Sequence, residues 1–225
     1  MFKAVFCDFY GTLVFEDDEP MHAIAEQIYK TGKAGSLNEI SSFWGRRFSA
    51  LCLESYGGRF RTQRKLELQS LWETLEYFSS TEDAKSLSQP QFTYWTEPPV
   101  FDDTKMFFAK CPLPICIVSN IDTADVKNAL NFHNLKPAEI VTSEEARSYK
   151  PRPEIFEFAT KKLGCSPGEV LHIGDSITND IKGAEAAGIR AIWINRKNKP
   201  IPPKVKLQAN GLLEALNILK ELTLS

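Results

Sequence analysis

The 225-residue chain lacks the features that would assign it at once to several protein classes. Its formal net charge is only -2, which gives no reason to expect nucleic acid or a membrane surface as a partner. Its 3 histidines have no metal-ligand spacing, and its 5 cysteines form no CxxC pair or zinc pattern. Cys7 and Cys116 lie inside apolar runs, so we expect buried, reduced thiols.

Long hydrophobic runs are also absent. No apolar run approaches the roughly 20 residues that a membrane span requires. The N-terminal run is too short for a signal peptide and ends in a charge. The basic stretch 195–206 contains prolines and no aromatic residue, which is typical of a solvated loop. These absences predict a cytoplasmic protein in a reducing compartment.

What the chain does contain is a series of short apolar runs rich in Val, Ile and Phe. They cover residues 3–9, 114–120, 138–143, 169–175 and 190–195. Continuous apolar character is typical of strands that are buried on both faces of a parallel sheet. Helical patterns follow three of these runs, over about 122–133, 153–163 and 178–187. Alternating strands and helices predict an α/β core with a doubly wound, Rossmann-like parallel sheet.

Residues 16–97 interrupt this alternation. They contain no clear buried strand and show helical periodicity instead. We therefore predict a helical cap domain over 16–97, inserted into a core domain that comprises 1–15 and 98–225. Three tryptophans of the insertion are expected in its interior: Trp44, Trp72 and Trp95.

Polar residues stand where the predicted strands and one helix begin or end, and ligands of parallel sheets bind beyond the carboxyl ends of strands. These residues are Asp8, Ser119, Asn120, Lys150, Asp175 and Asp180. Taken singly, each has an ordinary interpretation, because Lys150 fits a surface lysine and Asp180 fits the start of a helix. His172 lies inside a strand run and is expected to be a satisfied core residue.

Taken together and in order, these positions resemble the four motifs of the haloacid dehalogenase-like hydrolase superfamily. The motifs are "DFYGTLV" from Asp8, "IVSN" up to Asn120, Lys150-Pro151, and "GDSITND" up to Asp180. The resemblance covers the whole predicted core. The insertion over 16–97 matches the α-helical cap that the family places after its first motif.

The resemblance implies a role for each motif residue. Asp8 would be the nucleophile that forms an aspartyl-phosphate. Because Asp8 and a phosphate are both anionic, a cation is needed between them, and Mg²⁺ with oxygen ligands suits this position. The family places that ion between Asp8, the main-chain carbonyl of Tyr10 and Asp175, with Asp180 close by.

Further residues would contact the substrate. Ser119 and Lys150 would hold the remaining phosphoryl oxygens, and Asn120 and the amides around Gly11 would add donors. Within the insertion, Arg59 follows a Gly-Gly pair and would meet an anionic substrate. The alternative for this stretch is a turn between helices with solvated arginines.

Tyr10 departs from the pattern of the family's phosphatases, which carry a second aspartate there as general acid and base. Tyrosine has an ordinary pKa near 10 and is a poor base near neutral pH. The L-2-haloacid dehalogenases of the superfamily carry tyrosine at this position and need no metal. However, they resemble "SSN" where this chain has "GDS", so Asp175 and Asp180 favour a metal-dependent phosphatase.

The sequence therefore predicts a Mg²⁺-dependent hydrolase of a small phosphate monoester. A metal-independent 2-haloacid dehalogenase and a catalytically weak binding protein of the same fold are the alternatives, with phosphonate cleavage or phosphotransfer behind them. The expected partner is a small phosphorylated molecule. Neither the substrate's identity nor the oligomeric state follows from the sequence.

Overall fold

Six parallel strands form one sheet in the computed structural model, which describes residues 1–224. In chain order the strands are β1 (Ala4–Cys7), β2 (Ile115–Ser119), β3 (Glu139–Thr142), β4 (Val170–Gly174), β5 (Arg190–Ile194) and β6 (Gln208–Ala209). Their order across the sheet is β3-β2-β1-β4-β5-β6. The chain therefore moves outward from β1 in one direction and later returns to its other side, which makes β1 a topological switch point.

The sheet is buried on both faces, as its apolar runs predict. Every residue of β1, β2 and β4 is buried. Val5 and Cys7 pack into the apolar cluster on one face, whereas Phe6 and Cys116 pack into the cluster on the other. Both cysteines are free thiols, as expected.

Four helices occupy residues 16–97, the predicted insertion between β1 and β2. They are α1 (Asp18–Thr31), α2 (Leu37–Glu54), α3 (Gln63–Tyr77) and α4 (Ala84–Thr96). Trp44 and Trp95 are buried as expected, but the prediction for Trp72 is wrong, because this side chain is 56% exposed. Leu71 of the same helix is buried, and its next neighbour along α3 points to another side. The division of the chain into a core and a cap domain stays a prediction.

Six further helices cover the sheet. They are α5 (Thr104–Lys110), α6 (Thr123–Phe132), α7 (Ser143–Ala146), α8 (Pro153–Leu163), α9 (Gly183–Ala186) and α10 (Leu212–Leu224). The helices predicted over 122–133 and 153–163 are confirmed as α6 and α8. The helix predicted over 178–187 begins with a π-helical stretch, Ile177–Lys182, and continues as α9. None of the helices that the structure describes is long and apolar enough to cross a membrane.

Candidate active site

The strand order brings three motif residues to one edge of the sheet. Asp8 follows β1 directly, Ser119 ends β2, and Asp175 follows β4 directly. Because β1 lies between β2 and β4, the three residues are neighbours at the carboxyl edge. All three line a cavity of about 250 Å³, which Tyr10, Asn120, Lys150 and Asp180 also line. We call this space the catalytic cavity.

Lys150 is the centre of the polar network on the floor of this cavity. Its Nζ lies 2.5 Å from Asp8 Oδ1, 2.7 Å from Asp180 Oδ1 and 2.9 Å from the carbonyl oxygen of Val118. The side chain is buried, so the interpretation as a surface lysine is wrong. Burial alone would lower the pKa of Lys150, but the carboxylates of Asp180 and Asp8 more than offset this and hold it above its ordinary value.

Asp180 is fully engaged with the protein. Oδ1 faces Lys150 and also lies 3.0 Å from His172 Nε2, and Oδ2 accepts a hydrogen bond of 2.9 Å from the Ser176 amide. Burial would raise the pKa of Asp180, but Lys150 and His172 outweigh it and hold the pKa well below its ordinary value. A Cβ on Gly174 would lie only 2.3 Å from Asp180 Cγ, which explains the glycine of the fourth motif.

His172 partly fits the expectation of a satisfied core residue. It is completely buried within β4, and Nε2 contacts Asp180. Nδ1 has no hydrogen-bond partner among residues 1–224. Burial lowers the pKa of His172, so the ring is neutral near pH 7 and its Nε2–H donates to Asp180.

Three carboxylates come close enough together to share a cation. Oxygen atoms of Asp8, Asp175 and Asp180 all lie within 4.8 Å of one another. Burial raises the pKa of Asp8 to about 6, even though Lys150 opposes the shift. Burial, followed by the charges of Asp8 and Asp180, raises the pKa of Asp175 to about 8. A single lysine therefore does not compensate the negative charge of this group, and hard carboxylate oxygens are the ligands that Mg²⁺ prefers.

The turn after β1 is shaped around the same carboxylates. Thr12 Oγ1 donates to Asp8 Oδ2 at 3.1 Å. Gly11 has a φ of +81°, and a Cβ there would lie 2.6 Å from Asp175 Cγ, so two constraints favour glycine. The Gly11 amide donates to the Val14 carbonyl at 2.8 Å, and this bond occupies a donor that the sequence predicts for the substrate.

The Tyr10 hydroxyl points away from the carboxylates. It donates to the main-chain carbonyl of Trp95, near the end of α4. Burial, followed by nearby acidic groups, raises the pKa of Tyr10 far above its ordinary value. The hydroxyl therefore keeps its proton and ties the turn after β1 to α4.

Ser119 and Asn120 end β2 with different contacts. Ser119 Oγ accepts a hydrogen bond of 3.4 Å from the Ile121 amide, so its own proton is available. Asn120 uses both ends of its amide on the backbone of Lys150, accepting at 2.7 Å and donating at 3.2 Å. These contacts fix the position of Lys150 and use one of the two N–H groups of the Asn120 amide, so a contact between the other N–H and the substrate stays a prediction.

The structure does not bring Arg59 to the catalytic cavity. Arg59 is exposed on a 3₁₀ turn, Gly57–Arg59, and its Nη2 donates to the Tyr56 hydroxyl at 3.3 Å. Two hydrogen bonds between Gly57 and Arg147 anchor this turn. The contacts match the alternative of a turn with a solvated arginine, so a role for Arg59 in substrate binding stays a prediction without support from the geometry.

Side chains that the sequence does not indicate complete the cavity. Asp17, Phe48, Gln63 and Trp95 line it from the helical insertion. Which side chains face the cavity depends on how α1, α2, α3 and α4 pack, so periodicity alone does not indicate them. Thr12 belongs to the first motif, and its spacing of four residues from Asp8 is a signal that the sequence does offer.

A buried aspartate directly after the first strand, a buried lysine and an acidic group at the carboxyl edge of a doubly wound sheet are typical of one class of hydrolases. A family model for haloacid dehalogenase-like hydrolases matches residues 2–188. The chain therefore belongs to the haloacid dehalogenase-like hydrolase family and is a hydrolase.

Relatives with both chemistries of the family are similar to this chain. It is 28% identical over 203 residues to (S)-2-haloacid dehalogenase 1 of Pseudomonas sp. (strain CBS-3), covering 88% of this chain and 86% of the relative. It is 25% identical over 187 residues to phosphoserine phosphatase of Thermus thermophilus, covering 79% and 72%. The solved structure of L-2-haloacid dehalogenase from Xanthobacter autotrophicus superposes with a TM-score of 0.76 at 18% identity, covering 98% and 99%.

Proposed function

We propose that this hydrolase is a Mg²⁺-dependent phosphatase that cleaves a small phosphate monoester through an aspartyl-phosphate on Asp8. The observation that carries the proposal is the group of three carboxylates with oxygens within 4.8 Å of one another, served by one lysine. A carbon-centred dehalogenase has no chemical use for Asp175 next to its nucleophile, where burial and then the charge of Asp8 raise the pKa of Asp175 to about 8.

The donor set fits a divalent ion. Asp8 and Asp175 would hold it together with the main-chain carbonyl of Tyr10, and Asp180 would lie close by. When bound, the ion supplies positive charge that lets the anionic phosphate approach the anionic nucleophile.

The protein side chains then have distinct tasks. Lys150 holds Asp8 Oδ1, which keeps the carboxylate ionised and fixes its orientation. An Asp8 oxygen attacks phosphorus, an Asp8–phosphorus bond forms, and the bond from phosphorus to the ester oxygen breaks; the leaving alkoxide takes a proton from solvent water and departs as the alcohol. The Ser119 hydroxyl donates a hydrogen bond to a phosphoryl oxygen. Water then attacks phosphorus and passes a proton to solvent, the bond between Asp8 and phosphorus breaks, and inorganic phosphate leaves the regenerated Asp8 carboxylate.

The cavity lining also bears on the alternative. Every 2-haloacid carries a carboxylate, which needs a basic partner or free N–H donors. Lys150 is the only basic residue among the described residues that line the catalytic cavity, and two carboxylates and a carbonyl already use its three N–H groups. This charge balance favours a phosphate held with a metal ion over a haloacid.

A metal-independent 2-haloacid dehalogenase remains the second candidate. Tyr10, which stands in place of an acid/base aspartate, favours it, and so does the 28% identity to (S)-2-haloacid dehalogenase 1. A halide leaves carbon without protonation, so this chemistry has no need for a second aspartate.

A paired assay separates the two candidates. The purified protein is incubated with a panel of small phosphate monoesters and with 2-chloropropionate, each in Mg²⁺ and in EDTA. We expect phosphate release that requires Mg²⁺ and no halide release. Halide release in EDTA, without phosphate release in Mg²⁺, would overturn the proposal in favour of the dehalogenase.

A further inference from the structure

The side of the catalytic cavity formed by the helical insertion is rich in hydrogen-bond acceptors. We call Asp17, Phe48, Gln63 and Trp95 the helical wall. Beyond the catalytic carboxylates, the acidic groups of the cavity are Asp17 and the neighbouring Glu16. Glu16 is paired with Lys197 at 3.1 Å on the outer surface, so Asp17 is the acid that the protein leaves for the cavity.

Asp17 is held rigidly, yet one of its oxygens is free. It stands directly before α1 but makes no capping bond to that helix. Oδ2 instead accepts hydrogen bonds of 2.8 Å from Gln91 Nε2 and from Trp95 Nε1. Within residues 1–224, Oδ1 receives no hydrogen bond and neither oxygen is paired with a basic side chain. The fixed carboxylate therefore offers an unused acceptor to the cavity.

The charge of Asp17 is not duplicated behind it. Glu67 is buried, and Gln91 bridges it to Asp17 through a contact of 3.4 Å. Burial, followed by the charge of Asp17, raises the pKa of Glu67 to about 8, so Glu67 is neutral at pH 7. One negative charge, located on Asp17, remains at the helical wall.

A second observation points independently to a ligand that donates hydrogen bonds. Gln63 Oε1 is buried and has no hydrogen-bond partner in the part of the chain that the structure describes. An unpaired buried acceptor costs free energy unless a ligand pairs with it. The aromatic side chains of Phe48, Trp95 and Tyr149 line the same cavity.

We infer that the alcohol part of the substrate carries a positively charged amino group that Asp17 binds. The substrate class is then the phosphate monoester of a small amino alcohol without a carboxylate, of a size that fits a cavity of about 250 Å³. This inference rests on the proposed phosphatase function. It explains why the described residues that line the cavity offer hydrogen-bond acceptors and aromatic rings to the alcohol part of the substrate, and no free basic side chain.

The test compares esters that differ in one group. kcat/KM is measured in Mg²⁺ for phosphate esters of similar size: 2-aminoethyl phosphate, propyl phosphate and 2-phosphoglycolate. We expect the amino ester to be preferred over the uncharged ester by roughly tenfold or more, as a hydrogen bond to a charged group provides, and the carboxylate ester to be the poorest.

Variants of Asp17 test whether its carboxylate causes the preference for the amino ester. Asp17→Asn keeps an acceptor for Gln91 and Trp95 and removes the charge, so the ratio of kcat/KM for the amino ester to that for the uncharged ester should fall toward one. Asp17→Glu should restore most of the preference. Asp18→Asn is the matched control, because Asp18 is exposed, pairs with Lys197 and does not line the catalytic cavity, so the ratio should stay at its wild-type value.

The outcomes are distinguishable. Equal hydrolysis of all three esters, a preference for 2-phosphoglycolate, or an unchanged ratio in Asp17→Asn would overturn the inference and leave the phosphatase function standing. Absence of phosphate release from every ester would overturn both.

Discussion

The sheet edge and the helical wall of the catalytic cavity both carry carboxylates, but their charges are balanced in different ways. At the sheet edge, Lys150 contacts Asp8 and Asp180, whereas Asp175 forms no salt bridge within residues 1–224. At the helical wall, Asp17 has only neutral donors, and Glu67 behind it keeps its proton. The difference shows that each side keeps one carboxylate, Asp175 or Asp17, that pairs with no basic side chain of the described residues. The sheet edge suits a metal ion, whereas the helical wall suits a cationic group of the substrate.

The largest expected effect concerns the nucleophile. Asp8→Asn should lower phosphatase turnover at least about a thousandfold, because an amide cannot form the covalent intermediate. Steady-state phosphate release measures the effect. Asp18→Asn, a change of the same kind at an exposed position, should leave turnover near the wild-type value. Turnover in Asp8→Asn equal to that of the wild type would contradict the covalent mechanism. The sheet edge would then only bind the substrate.

Lys150→Met should cause the largest loss of stability. It leaves Asp8 and Asp180 buried without their cation, which typically costs about 3–5 kcal/mol. Chemical denaturation measures the free energy of unfolding, and added Mg²⁺ should offset part of the loss.

Lys162 offers a matched control for this change. It also contacts two carboxylates, Glu139 at 3.1 Å and Glu145 at 3.2 Å, and a main-chain carbonyl, but it lies at the surface. Lys162→Met should cost less than about 1 kcal/mol. Equal losses in the two variants would contradict the view that burial makes the Lys150 network depend on its cation.

Glu67→Gln tests whether Glu67, which lies behind the helical wall, is protonated in the folded protein. Glu67 has an ordinary pKa of 4.5, raised in the fold to about 8 by burial and by Asp17. Between these values the unfolded chain releases a proton that the folded chain keeps, so the free energy of unfolding falls as the pH rises. Glu67→Gln removes this loss, and its Tm should exceed that of the wild type by at least about 3 °C at pH 8 and match it near pH 4.5.

Glu73→Gln on the same helix gives the opposite comparison. Glu73 pairs with Arg47, which holds the pKa of this carboxyl below its ordinary value. Its loss should not raise the Tm at pH 8. A gain in both variants would mean that the stabilisation reflects the general charge of α3 and has no connection with Asp17.

The smallest effect is expected for Tyr10→Phe, which tests the link between the two sides. The change removes the hydrogen bond to the Trp95 carbonyl, at a cost of about 1 kcal/mol in the free energy of unfolding. Turnover should fall less than about threefold, because the hydroxyl points away from the carboxylates. A loss above about a hundredfold, the size expected for a general acid, would assign Tyr10 to proton transfer.

The sheet could be predicted from the sequence because its strands are buried on both faces and therefore read as continuous apolar runs. β6 was not predicted, because it has only two residues, Gln208–Ala209, beside a basic loop and therefore forms no apolar run. The four motifs likewise located Asp8, Ser119, Lys150 and Asp175 at one edge, since parallel strands end together.

Side-chain contacts between elements that are distant along the chain could not be predicted from the sequence. Asp122 stands directly before α6 but makes no capping bond to that helix; its carboxylate accepts hydrogen bonds from the Gln63 and Arg64 amides, at the start of α3. Trp72 has the apolar character of a core residue but lies on the outer side of α3. Periodicity indicates which helix face is apolar, whereas packing decides which residues meet a cavity.

The claim that the sheet edge is completed by a divalent ion can be measured by calorimetric titration of Mg²⁺ into the wild type and into Asp175→Asn. We predict one binding site in the wild type and an affinity at least about tenfold weaker in the variant, because one of the carboxylate ligands is lost. No Mg²⁺ binding to the wild type at millimolar concentration, together with halide release from 2-chloropropionate in EDTA, would contradict the account.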